Sequence, residues 1–426
     1  MLYQKFSPTL VTSLLFITLS AATAIQAAAA APLRTPVTLN GPNGASPYAG
    51  LILDAAGSLY GTTSNGGAHG YGAVFELSPT ANGWTETVLY SFCQNSCLEG
   101  SGPWASLLLD SEGNLYGTTQ FGGAHSSGTV FELSKAANGT WGENVLYSFC
   151  SSANCADGSV PDSPVIFGAK GQLYGTTLEG GQGSCLGNNS GCGVAFELTP
   201  GANGQWNETV LYTFTGGDDG GSPVAGLVSD SSGNLYGNTW LGGANLSGVV
   251  YELSNVSGAW TQSVIHQFCE YQSCLDGGYP KATLTFGPDG DLYGTTGAGG
   301  KQSKSNDVGY GVVFRLASTG GVWSENVLYA FSGADGNYPF GGVVFDSSGN
   351  LYGTTVDGGA SNLGTVFELS PSGNEWNETV LHTFSGLLDG SEPYCTLAID
   401  SAGNLFGTTD RGGAAGDGTI FAIATQ

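Results

Sequence analysis

The chain has 426 residues, of which 72 are Gly and only 10% are charged, with 34 acidic side chains against 9 basic ones and a formal net charge of −25. That imbalance excludes nucleic acid and anionic membrane surfaces as partners, because like charges repel. It suits an exported protein kept soluble by its own acidity, or one that meets cations.

Residues 1–31 read as an export signal: Lys5, an apolar stretch from Leu10 to Leu19, and an alanine-rich run ending near Ala31. The apolar stretch is too short to span a bilayer, and Gly, Asn, Asp or Thr interrupts every later apolar run. No membrane-spanning segment is expected. No cysteine closes the signal and the chain stops at Gln426 straight after a strand-like segment, so no lipid anchor or sorting tail is expected. The expected location is secreted or periplasmic. Residues 32–426 read as a single domain, because one repeated unit fills them.

Next comes Pro36-Val-Thr-Leu-Asn-Gly41, and then the first of seven copies of a unit marked by Leu-Tyr-Gly-Thr-Thr. The string begins at Leu59, Leu115, Leu173, Leu292 and Leu351, with variants from Leu235 and Leu405, at spacings of 56, 58, 62, 57, 59 and 54 residues. Within the first copy four apolar or β-branched runs are bounded by turn residues: Gly50 to Leu53, Ser58 to Thr62, Ala73 to Leu77 and Thr85 to Phe92. Asp54-Ala-Ala-Gly57 and Pro79 to Gly83 supply the two hairpin turns. No helical periodicity appears. Four antiparallel strands repeated about an axis describe an all-β, seven-bladed β-propeller.

Three regularities refine that expectation. Trp84, Trp141, Trp206, Trp260, Trp323 and Trp376 recur at the start of the fourth strand and read as inter-blade packing. If Thr62 pairs with Val74, Tyr60 faces Glu76, and in the seventh copy both change together, to Phe406 and Ala422. The fifth copy, with Tyr293 and Arg315, departs from this pair. The seventh copy ends at Ile423 without a fourth strand, so Val37 to Leu39 should complete the last blade beside Gly418 to Ile423.

Strand alternation puts the Asp-x-x-Gly and Pro-x-x-Asn-Gly hairpins on one face. The Thr-Thr-x-x-Gly-Gly loops and blade-to-blade connections lie on the other, where the copies differ most and binding is expected. Cys93 and Cys97, Cys150 and Cys155, and Cys269 and Cys274 flank the connections, and Cys185 and Cys192 bracket an inserted loop. In an exported chain these read as four local disulfides; zinc would need blades to share ligands. Cys395 is left as a buried, inert thiol.

Candidate binding residues follow from the same face. Tyr48, Trp104, Phe340 and Tyr394 follow the loop proline, Tyr279 and Tyr338 precede it, and Trp240 follows Thr-Thr. Acids join them at Glu99, Asp157, Asp219, Asp276, Asp335 and Asp389. Aromatic rings with carboxylates suit a neutral glycan, or a calcium-assisted one, although no loop carries the calcium-loop pattern and no cofactor or metal is expected. The plainer reading makes Asp-Gly a turn and the rings a cap on the core. The four histidines show no metal spacing, and neither a nucleophile elbow nor a phosphate-binding loop is present, so no catalytic residue is assigned.

The combined motifs G-G-A-x-x-x-G-T-V-F-E-L, V-L-Y-S-F, D-G-x-x-P and G-N-L-Y-G-T-T resemble the bacterial tandem repeat called Gloeo_Verruco, or GloVer, from about Pro36 to Ile423. The D-x-x-G-N-L-Y portion also resembles the blade turn of NHL and related propeller repeats. The resemblance implies an exported repeat protein and brings no activity or functional residue with it. The expected function is a non-enzymatic, monomeric binding or interaction propeller for a glycan or a protein. A carbohydrate-active hydrolase or lyase using loop carboxylates and a structural surface protein are the alternatives.

Overall fold

A computed structural model describes residues 33–185, 190–270, 272–302 and 308–425; the export-signal segment lies outside the described residues. Among the described residues there is no α-helix, and each copy folds as one four-stranded antiparallel sheet, seven in all, ring-closed as a seven-bladed propeller. In blade 1 the strands run from the axis outward as Ile52–Leu53, Leu59–Thr63, Ala73–Thr80 and Gly83–Ser91. The inner strand is shorter than its apolar run predicts. Its lead-in carbonyls are taken by a neighbouring blade instead of by its own sheet, as at Ala49.

The Leu-Tyr-Gly-Thr-Thr string is the second strand of every blade, and each of its five positions has a separate task. Leu59 is fully buried in the core. Tyr60 donates to Asp54 of the preceding turn at 3.2 Å, while Asp54 also accepts the Ala56 and Ser58 N–H groups. Gly61 leaves room for Phe75, whose Cζ would lie 2.5 Å from any added Cβ. Thr62 donates to the Ala105 carbonyl of the next blade, and Thr63 accepts the Ala73 N–H across its own hairpin. The blade-to-blade bond recurs from Thr118, Thr176, Thr295 and Thr354, and in the variant fourth copy Asn238 makes it through its amide, to Ala282 at 2.7 Å.

The seam forms as expected. Arg34–Thr38 pairs with Thr419–Ile423, with Val37 opposite Ile420 and Thr38 opposite Thr419, and the Leu39 N–H extends the ladder to the Gly418 carbonyl. Leu39, Leu51, Phe75, Phe406 and Ile420 share one core cluster across the join. Thr408 closes the ring of inter-blade bonds by donating to Ala49 at 2.9 Å. Replacing Thr408 with Val leaves a buried carbonyl without its partner and is expected to cost about 1–3 kcal/mol, read as a lower denaturant midpoint. An unchanged midpoint would remove this bond from the closure.

The core consists of seven clusters, each drawn from two adjacent blades, so a blade buries its faces only against its neighbours. The fourth-strand tryptophans serve that packing: Trp84 meets Phe406, Trp260 meets Tyr174 and Trp323 meets Tyr236, each from the blade before. The Tyr60–Glu76 register is as read from the sequence, and the hydrogen bond is well made in the next two blades, Tyr116 to Glu132 at 3.0 Å and Tyr174 to Glu197 at 3.1 Å. Blade 5 replaces it. There Tyr293 donates to Asp289, and Arg315 forms ion pairs with Asp289 and Asp291.

All four disulfides are formed, Cys93–Cys97, Cys150–Cys155, Cys185–Cys192 and Cys269–Cys274. Cys395 is buried and free, and burial pushes its thiol up from the ordinary value. No helix among the described residues is long and apolar enough to cross a membrane.

Candidate functional site

Each blade-to-blade connection ends in a proline followed by one residue that points the chain into the innermost strand. In chain order those residues are Tyr48, Trp104, Asp162, Val224, Lys281, Phe340 and Tyr394, and all seven line a single pocket of about 230 Å³. Leu178 and Trp240, which follow the second-strand threonines, also line it. The column after the proline is thus a ring, occupied by chemically different side chains on a constant backbone.

That backbone is held firmly. The residue before the proline lies in the left-handed region in every blade, at Ser46, Gly102, Val160, Ser222, Tyr279, Tyr338 and Glu392, with φ between 54° and 64°. Only the second copy spends a glycine there. Non-glycine residues in this region cost energy and persist where the surroundings dictate them. Here two backbone hydrogen bonds do so: Val160 donates to Ser127 and accepts from Leu178, and Ser222 donates to Cys192 and accepts from Trp240. The same two bonds recur around the ring. Tyr279 belongs to this pinned backbone and is not in the pocket lining.

The ring has two unlike arcs. From blade 6 to blade 2, Phe340, Tyr394, Tyr48 and Trp104 stack in sequence, with centroid separations of 6.0, 4.2 and 4.7 Å and interplanar angles of 13°, 17° and 39°. Tyr338 stacks on Phe340 at 5.9 Å. The rings cover one another's faces, so the central tyrosines leave mainly their edges for a ligand. Burial raises both phenols, Tyr394 to about 12 and Tyr48 further, helped by the neighbouring acids, so both hydroxyls stay protonated donors.

The other arc is polar. Lys281 lies with its Nζ 4.2 Å from the Trp240 ring centroid and 4.7 Å from that of Phe340, a cation between two aromatic rings. Burial lowers its ammonium, opposed by the charge of Asp162. Asp162 accepts a 2.8 Å hydrogen bond from Gln120, and burial pushes it up to about 7 against the pull of that bond and of Lys281. Below the rim, Thr283 and Thr396 line the pocket and accept the Gly226 and Gly342 N–H groups at 3.0 and 2.8 Å. Their hydroxyls retain a proton to donate.

The predicted loop acids are placed elsewhere. Asp157, Asp219, Asp335 and Asp389 each brace their own connection, accepting loop N–H groups together with a fourth-strand side chain: Tyr147 at 2.8 Å, Tyr212 at 3.0 Å, Tyr329 at 2.6 Å and His382 at 3.1 Å. Glu99 accepts the Gln94 and Asn95 N–H groups, and Asp276 the Glu270 N–H. Local backbone amides hold these carboxylates within their own connections, although the buried Oδ1 of Asp276 has no hydrogen-bond partner. Against burial, the Tyr147 and Ser151 bonds hold Asp157 below the usual carboxylate range, and the Ser385 bonds do the same for Asp389. Of the predicted residues, the structure therefore gathers Tyr48, Trp104, Trp240, Phe340 and Tyr394, keeps Tyr338 behind them, and separates off Tyr279 and the acids. Sequence reasoning missed Asp162 and Lys281, although both stand in the same column after the loop proline. Among the described residues, no group of three or more His, Cys, Asp or Glu could hold a metal.

Comparisons with solved structures show this fold on distant chains. A protein described as a 6-phosphogluconolactonase from Bacteroides uniformis is 15% identical, with a TM-score of 0.50 over 80% of this chain and 85% of that one. The extracellular domain of a protein described as a one-component system from B. thetaiotaomicron is 9% identical, with a TM-score of 0.55 over 92% of this chain, which spans 40% of that one. A fungal alcohol oxidase of the AA5 family, in complex with copper, is 14% identical, with a TM-score of 0.54 over 92% and 75% of the two chains. At these identities the likeness is one of fold. No curated protein matches the chain. A family model described as the Gloeobacter/Verrucomicrobia repeat matches residues 25–191, 143–307 and 302–426. With the repeat present in every blade of a closed ring, the chain belongs to the Gloeobacter/Verrucomicrobia repeat family.

Proposed function

We propose that the protein is an exported, monomeric, non-enzymatic binding propeller whose loop-rich face takes the end of a glycan into the mouth pocket. One observation carries this reading: the seven positions that converge on the pocket differ in chemistry from blade to blade, with aromatic, acidic, aliphatic and basic side chains, on a backbone that is the same in each. A scaffold that pins its backbone and varies its side chains at one point is organised for recognition. The disulfide-closed connections fit export. A hydrolase of the two-carboxylate type needs a second acid across the pocket, whereas the lining holds one, Asp162.

Glycan-array binding by the mature protein, without turnover in a hydrolase and lyase panel, is the expected result. Trp104→Ala should weaken it at least about tenfold, about 1.4 kcal/mol, while leaving the fold intact by circular dichroism. Binding indifferent to this change, or turnover of the bound glycan, would overturn the proposal.

A protein partner is the second reading, favoured by apolar side chains left open on the same face. Leu98, Leu246, Leu275, Leu387 and Leu388 are exposed there, the last two by 73% and 68%.

A further inference from the structure

Resting on that reading, we infer that the pocket selects an acidic sugar, a hexuronic acid residue, by receiving its carboxylate at the Lys281 ammonium. The first support is the rarity of the charge. The chain has 9 Lys and Arg side chains against 34 acids, and one of those few cations is held part-buried at the mouth of the central channel. Desolvating an ammonium is costly, and no carboxylate of the described residues lies within ion-pair distance of Lys281. Trp240 and Phe340 hold it in place without neutralising it, since a cation over a ring keeps its full charge.

The second support is the aromatic arc. Tyr48 and Tyr394 cover each other's faces at 4.2 Å, and an aromatic edge carries the positive part of the ring quadrupole. Edges, phenolic protons and the Lys281 ammonium are the groups of this lining that favour an anion, set against Asp162 in the pocket and against Asp410 and Glu392, whose charges reach Tyr48. A neutral sugar stacked on a ring face has little to use here; an anionic one has a direct partner. Asp162 opposes an anion only when ionised; burial pushes its carboxyl up to about 7, so in mildly acidic solution it is neutral, with one oxygen held by Gln120 at 2.8 Å. The other oxygen, with the Thr283 and Thr396 hydroxyls, suits the ring hydroxyls that distinguish a sugar acid from other carboxylates.

The test titrates the mature protein with digalacturonic acid and with its carboxyl-reduced neutral counterpart, by calorimetry and by tryptophan fluorescence, which Trp104 and Trp240 report from the pocket. The acidic disaccharide should bind at least about tenfold more tightly than the neutral one. Lys281→Met should abolish that difference, and Lys281→Arg should keep most of it. Equal binding of the two sugars, or a preference that survives Lys281→Met, would overturn the inference and leave the glycan reading standing. A peptide with a free C-terminal carboxylate that binds more tightly than digalacturonic acid would overturn it in favour of a protein end. Binding of no saccharide by the wild-type protein would overturn both.

Discussion

Deleting residues 32–41 should lower the melting temperature by about 10 °C or more and turn a monodisperse protein into one that aggregates on heating. The segment supplies the outer strand of blade 7, with Val37 opposite Ile420 and a fully buried Leu39. Losing a buried leucine alone costs about 2–5 kcal/mol, and the strand also covers Ile420 and the seam cluster that joins blades 1 and 7. Without it Thr419–Ile423 becomes an open edge, with unpaired N–H and C=O groups ready to recruit another chain. Every other blade is closed by covalent continuity of its own four strands, so no other ten-residue segment does the same work for the ring. Calorimetry and size-exclusion chromatography after partial heating would read both effects. A deletion variant with an unchanged melt would show that the ring does not depend on this strand.

The second large effect concerns pH. At the third residue of the Trp-x-Glu segment, Glu86, Glu143, Glu208, Glu325 and Glu378 each have a buried Oε1 with no hydrogen-bond partner. In the fourth copy the position is Gln262, whose amide donates to the Asp219 carbonyl at 3.1 Å. The substitution suggests the state of the others: a neutral, protonated carboxyl can donate as the amide does, and a carboxylate cannot. Burial, reinforced by a nearby loop acid, pushes Glu143 and Glu325 up to about 8 and Glu208 and Glu378 up to about 7, and burial also raises Glu86 against its bond from Asn43.

These glutamates therefore hold their protons more tightly in the folded protein than in the unfolded chain. Their contribution is fully present below the unfolded value near 4.5 and is lost as pH rises to the folded values of about 7 to 8. The hydrogen-bonded aspartates act in the opposite sense. In Asp110 and Asp346, bonds from Asn114 and Asn350 outweigh burial and lower the carboxyl, so their contribution is present above the unfolded value near 3.8 and lost in stronger acid. Stability should therefore peak in mildly acidic solution and fall towards pH 9, by about 1–2 kcal/mol per glutamate once solvent and relaxation are allowed for. A Glu143→Gln, Glu208→Gln, Glu325→Gln, Glu378→Gln variant should melt higher than wild type at pH 8 and show a flatter profile. Exposed Glu112→Gln controls for the loss of net charge. A melting temperature that rises from pH 5 to pH 8, or a variant no more stable than wild type at pH 8, would contradict this account.

Much of the fold is legible in the sequence because each blade is locally encoded. The Tyr60–Glu76 register, the Asp54 turn and the four short-range disulfides involve partners close together in the chain, and turn chemistry and strand alternation bring them together without help from elsewhere. The missing fourth strand of the last copy likewise announces its replacement at Val37 to Leu39. The acids of the connections stay ambiguous in sequence because abundance and repetition look the same for a turn brace and for a ligand group; the bonds to Tyr147, Tyr212, Tyr329 and His382 agree with the plainer reading of a turn brace.

The site is a different matter. The sequence by itself determined the repeat, the blade, the number of blades and the closing strand, since these rest on periodicity and on contacts within one unit or between its ends. Only the tertiary structure decided that Tyr48 stacks on Tyr394 from the far end of the chain, that Lys281 lies between Trp240 and Phe340, and that Asp162 faces the same pocket. The physical reason is closure: positions one repeat apart are distant along the chain, and the ring alone brings all seven to one axis. Identical Leu-Tyr-Gly-Thr-Thr strands build that ring, and the unlike residues after the loop prolines give its mouth a chemistry.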